Sequence, residues 1–161
     1  MINAYETEDG VVFDMSQLEC DALRSYADGL VDDPDHPFVE LLSSQGLVAG
    51  GAPVPHLAAL LEAFAQSTKV LAAWVVAPAG RRRVTFFVGP HFAVVSRCED
   101  GGLYAGEDDV VSVWVVGSAQ LRDTFFELSA IGEPSGDGIL PTAVPEVLFS
   151  ALERGDDTKI L

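Results

Sequence analysis

Residues 70–98 read VLAAWVVAPAGRRRVTFFVGPHFAVVSRC, and this stretch decides the fold. Apolar and β-branched residues fill 70–77, 83–88 and 92–98, with the period of two that belongs to strands. Pro78-Ala79-Gly80 separates the first two runs and Gly89-Pro90-His91 the next two. Turns this short join antiparallel neighbours; a parallel pair needs a crossover of a dozen residues or more. Glu99-Asp100-Gly101-Gly102 turns the chain again, Leu103 and Tyr104 can start a short strand, and 110–116 reads VVSVWVV. That last run is apolar on both faces, which predicts a central strand covered on both sides. The expectation is an antiparallel β-meander of four or more strands.

Helical signals flank the meander. Ser16 and Glu19 form a capping box ahead of Leu18, Ala22, Leu23, Tyr26 and Leu30. Residues 32–37 make a loop whose two prolines forbid helix, and 38–44 suit a short helix. Residues 46–53 form a glycine-rich turn. Pro55 opens a stronger helix over 55–66, with Leu57, Leu60, Leu61 and Phe64 on one side. After the strands, Ser118 is a plausible N-cap for a helix over 118–129 carrying Leu121, Phe125 and Leu128 on one stripe. Residues 133–141 read as a loop, and Pro145 starts a last helix that ends at Gly155. The sequence therefore predicts one α+β domain over 1–161, an antiparallel sheet with helices packed on it. Residues 1–15 form an arm or edge strand, and 156–161 a frayed tail.

Charge narrows the function. The chain has 161 residues, 9 Lys+Arg and 25 Asp+Glu, for a net charge of −16. Such a surface repels phosphate backbones and anionic lipid, so neither nucleic acid nor membrane is an expected partner. The first 40 residues hold 11 acids and one base, whereas 41–98 hold one acid and five bases. No apolar run approaches the roughly 18 residues of a membrane span. The acidic opening carries no charged-then-apolar leader, and the expected location is the cytoplasm.

Catalytic and metal-binding patterns are weak. No G-x-S-x-G elbow occurs. Cys98, beside Arg97 and seven residues after His91, is the nearest approach to an activated thiol. Cys20 sits within the first helix. His36, His56 and His91 are isolated, and Asp32, Asp33, Asp35 and Glu40 lack the frame of a calcium loop. Residues 46–51, GLVAGG, lack the Lys-Ser/Thr ending of a phosphate loop. The expectation is no enzymatic activity, no metal and no cofactor.

The one basic cluster, Arg81, Arg82 and Arg83, falls at the first hairpin turn beside Pro78. It suits an acidic partner or neutralises neighbouring carboxylates. Phe86 and Phe87 point to opposite faces of their strand, and Phe126 lies off the apolar stripe of its helix. Arginine and exposed aromatics are the residue types that anchor interfaces. Pro78, Arg81, Arg82, Arg83, Phe87 and Phe126 are accordingly the candidate partner-binding residues. The plainer alternative keeps the arginines solvated and both hairpin rings in the core.

One resemblance extends this. Leu47, the 55–62 stretch PHLAALLE, 83–88 RVTFFV, 92–97 FAVVSR, 110–116, the helix around 121–128, Ile131-Gly132 and the 142–148 stretch TAVPEVL follow the order of the EspG family. Those proteins are the cytoplasmic chaperones of actinobacterial type VII secretion, and the similarity covers roughly 38–155. It implies a non-enzymatic protein that binds the hydrophobic tip of a PE–PPE secretion substrate. Family members have two pseudo-symmetric halves, and this chain matches one. A homodimer would restore the arrangement. The alternative is an acidic immunity-type protein that neutralises a basic toxin by charge complementarity.

Overall fold

The computed structural model describes residues 1–8, 10–29, 36–77, 80–99 and 106–129. Expectations for 32–35, Pro78, 103–104, 133–141, the helix after Pro145 and the tail lie outside these residues. The chain divides into two compact units after Leu121.

The first unit is an α+β sheet protein. Six antiparallel strands lie in the order β1-β2-β8-β7-β6-β5. They are β1 (Asn3–Thr7), β2 (Gly10–Ser16), β5 (Lys69–Ala77), β6 (Gly80–Val88), β7 (Phe92–Glu99) and β8 (Val110–Gly117). The meander from β5 to β8 follows the sequence expectation, with β5 and β6 in unbroken register from Lys69↔Val88 to Ala77↔Gly80. Residues 1–15 contribute more than an arm. They form a hairpin whose inner strand pairs with β8, Phe13 opposite Val113 and Met15 opposite Val111. The run at 110–116 thereby becomes an interior strand, as its two-sided apolar character requires.

Helices α1 (Gln17–Ala27), α2 (Pro37–Ser44) and α3 (Pro55–Ala65) share one core with the sheet. The predicted capping box opens α1: the Ser16 hydroxyl accepts from Glu19 N at 3.2 Å, and Glu19 Oε2 accepts from Ser16 N at 2.9 Å. Pro55 stands at the first turn of α3, where its missing N–H costs nothing. Between α2 and α3, the expected turn is a small hairpin of β3 (Val48–Ala49) and β4 (Ala52–Pro53). Gly50 and Gly51 close it with φ of 61° and 81°, the left-handed pair that a two-residue hairpin demands.

Alternation sorts the sheet residues. Phe13, Met15, Phe87, Val94, Cys98, Val111 and Val113 face the helices and pack with Leu23, Leu42, Leu57, Leu60 and Phe64. Each such side chain withdrawn from water stabilises the fold by about 1.5–3 kcal/mol. Val84, Phe86, Ala93, Val95 and Val116 project to the other side and are buried as well. Among the described residues the α layer is centred over β2, β8 and β7.

The second unit begins at Arg122, and α4 (Leu121–Ser129) leads into it through a short 3-10 turn at Ser118–Gln120. Leu121, Phe125 and Leu128 form its buried stripe, as predicted.

Candidate functional site

The three consecutive arginines part company. Arg83 turns towards the helix layer and is buried. Its guanidinium donates to Gln17 Oε1 at 3.2 Å and reaches Asp109 Oδ2 at 3.4 Å. Arg82 turns to the other face, where its Nε donates to both carboxylate oxygens of Glu99 at 3.0 and 3.1 Å. Arg97 joins this group, its Nε 3.3 Å from Glu99 Oε1 and its guanidinium 5.7 Å from the Trp114 ring centre. That Nε is buried and makes no aligned hydrogen bond among the described residues, and Glu99 attracts it by charge. Arg81 is exposed and makes no recorded hydrogen bond or ion pair among the described residues. Two of the three arginines thus neutralise carboxylates of their own chain, and one faces water.

The aromatics are redistributed too. Phe87, expected on a partner-facing surface, is core: it is 7% exposed and meets Phe64 edge-on at 5.3 Å. The Arg24 guanidinium lies 5.0 Å from its ring centre. Arg83 and Phe87 are therefore structural residues, because both sides of β6 are covered where they sit. Phe126 is half-buried, edge-on to Phe125 at 6.2 Å with the Arg122 guanidinium 5.7 Å from its ring centre. It is described within α4 alone. Pro78 lies outside the described residues.

A different set of apolar side chains stands in water. Val70 is 54% and Trp74 40% exposed, with exposed Ala72 between them. All three sit on the helix-facing side of β5. Register sets Trp74 opposite Arg83 and Val76 opposite Arg81. The result is a ledge: Val70, Ala72 and Trp74 in a row along the edge strand, with the Arg81 cation at its far end. The signal for Trp74 was its even spacing from Val70 and Ala72 on the first strand of a meander, which stays at the sheet edge when no later strand joins it.

Comparison with protein families, curated proteins and solved structures gives no match.

Thiol chemistry has poor access here. Cys98 is buried, and its thiol donates to the Glu99 carbonyl at 3.6 Å. Burial pushes the Cys20 thiol up to about 12, reinforced by the Asp21 charge and opposed by a hydrogen bond with Ser96 and the Arg24 charge. Cys20 is therefore a neutral thiol at neutral pH. His36 is a cap, accepting from Phe38 N at 3.2 Å through Nδ1. Among the described residues no group of three His, Cys, Asp or Glu could hold a metal, and no helix is long and apolar enough to cross a membrane. A pocket of about 340 Å³ opens between the β1–β2 hairpin and the start of α3, lined among others by Glu6, Val11, Phe13 and His56.

Proposed function

We propose that this chain is a non-enzymatic, chaperone-like protein of the cytoplasm, which holds a partner protein on the β5–β6 ledge. The reading follows the resemblance to the EspG chaperones of type VII secretion and takes a PE–PPE-like secretion substrate as the client. One observation carries it: the Val70–Ala72–Trp74 row stands exposed beside a solvent-facing arginine. Aromatic and arginine side chains beside an apolar strip are the types that dominate binding energy at protein interfaces. The client supplies the complementary apolar tip, and burying the row removes both surfaces from water.

The charge of −16 supports a second reading, an acidic immunity-type protein that neutralises a basic toxin. Salt separates the two. An apolar grip on a PE–PPE tip keeps its association rate as salt rises, whereas a charge-steered inhibitor slows steeply. The deciding experiment is capture of a purified PE–PPE pair by the wild-type chain and by Val70→Glu, at low and high salt. The chaperone reading expects salt-tolerant capture that Val70→Glu abolishes. Absence of capture, or capture indifferent to Val70→Glu, overturns it.

A further inference from the structure

We propose that the cavity between the β1–β2 hairpin and the start of α3 binds a small organic ammonium ion, its apolar body on Val11, Ala59 and Val115 and its charge at the Glu6 carboxylate. This site is separate from the β5 ledge and does not rest on the chaperone reading.

Register builds the floor. Glu6 stands opposite Val11, and Phe13 opposite Val113. Residues paired across strands share a face, so Glu6, Val11 and Phe13 all project to the side that carries the helices. Phe13 belongs to the core, whereas Val11 and Val115 are half-buried and leave apolar surface open above it. The wall comes from α3. His56 and Ala59 are three residues apart, hence on one side of the helix, and both are exposed. The short Ala59 side chain leaves room for a cavity of about 340 Å³. That volume lies at the small end of the range for ligand sites, which suits a compact molecule with one ring or a branched chain.

Charge then selects the ligand. The lining holds one carboxylate, one imidazole and neither lysine nor arginine. Neither Glu6 nor His56 makes a side-chain hydrogen bond or ion pair among the described residues. The sequence around the hairpin has one sign: residues 1–23 carry six acids and no Lys or Arg. An arriving anion meets repulsion there, and a neutral molecule draws nothing from Glu6. A bare metal ion needs several oxygen ligands, more than one carboxylate supplies. An organic ammonium ion meets both demands, a cation for the rim and an apolar body for the floor. Glu6 is exposed, and ion pairs in water are weak, so burial of the apolar body supplies most of the affinity and the carboxylate supplies the selection.

The test titrates the full chain with phenethylamine and follows amide and methyl NMR shifts. Phenethyl alcohol and hydrocinnamate, similar in size but neutral and anionic, serve as comparisons. The expected result is saturable shifts at Val11, Ala59 and Val115, with phenethylamine binding more tightly than either comparison. Glu6→Gln should weaken it roughly threefold to fivefold, in keeping with an exposed pair. Ala59→Phe, which fills the cavity from an exposed helix position, should abolish binding and keep the wild-type melting temperature. Absence of a saturable shift overturns the proposal, as does equal binding of the alcohol or the acid. Shifts spread over the whole acidic surface mean counter-ion association only and overturn it too. So does binding that Glu6→Gln leaves unchanged, or that a natively folded Ala59→Phe retains. Should Ala59→Phe unfold, Ala59→Leu takes its place and the same outcomes decide.

Discussion

Arg83 and Asp109 tie the basic hairpin to the opposite end of the meander: the guanidinium of β6 lies 3.4 Å from a carboxylate that immediately precedes β8. The Asp109 carbonyl accepts from Gln17 N at 2.8 Å, and Gln17 in turn accepts from Arg83. Sheet, first helix and the approach to β8 therefore meet at one buried side chain. An arginine that looked like a surface residue is a structural joint.

Replacing Arg83 by Leu leaves Asp109 with the Gly106 amide as its hydrogen-bond donor among the described residues and removes the link to Gln17. Asp109 is partly exposed, so water softens the loss, and the expected cost is on the order of 2 kcal/mol. Arg81→Glu, on an exposed side chain, should stay within about 0.5 kcal/mol of wild type. Urea denaturation of both variants checks the contrast. Equal midpoints would show that the Arg83 joint contributes nothing.

The meander was legible because its information is local: period-two apolar runs, turns too short to cross over, and a proline or capping box at the helix starts. What stayed hidden depended on distant partners. β1 reads NAYET, is exposed throughout and offers no alternation to detect; its place follows from β2 pairing with β8, about a hundred residues away in sequence. Alternation correctly sent Arg82 and Arg83 to opposite faces. It could not say that Glu99 would wait on one and Gln17 with Asp109 on the other. Phe87 was misread for the same reason, since both faces of β6 are covered and an exposed ring had to be sought one strand further out, at Trp74.

Phe87→Ala should cost about 3–5 kcal/mol, the range for emptying a buried phenylalanine site. The ring touches Phe64 edge-on and lies beneath Arg24, so its removal strips an aromatic pair as well as apolar area. Thermal and chemical denaturation measure the loss. A variant that keeps wild-type stability would return Phe87 to the surface and restore it as a partner-binding candidate.

Gly89 sits where two backbones nearly touch. A Cβ there would stand 2.9 Å from the Gln66 carbonyl oxygen and 3.2 Å from that of Phe92. Both obstacles are main chain, and Gly89 N itself donates to Phe92 O at 2.9 Å, so neither can step aside cheaply. Gly89→Ala should therefore destabilise by about 1–3 kcal/mol, despite the entropy that alanine removes from the unfolded chain. A melting temperature equal to or above wild type would show that the turn yields.

Alkaline pH tests the burial of Cys20. Its folded thiol titrates at about 12 against an ordinary 9.0, chiefly because desolvation penalises the thiolate. The folded pKa is raised, so the stability tied to this proton is fully present below pH 9. Between 9 and 12 the unfolded chain gives up the proton while the native chain keeps it. Stability then falls with a slope approaching about 1.4 kcal/mol per pH unit from this group alone. Tyrosine and lysine titration overlaps that window, so the informative quantity is the difference between wild type and Cys20→Ala across it. The alanine variant loses some packing at every pH, yet its stability should decline less steeply above pH 9, and the two curves should converge. Curves that stay parallel to pH 11 would mean that water reaches the thiol, and with it the seam between α1 and β7 where Ser96 meets Cys20.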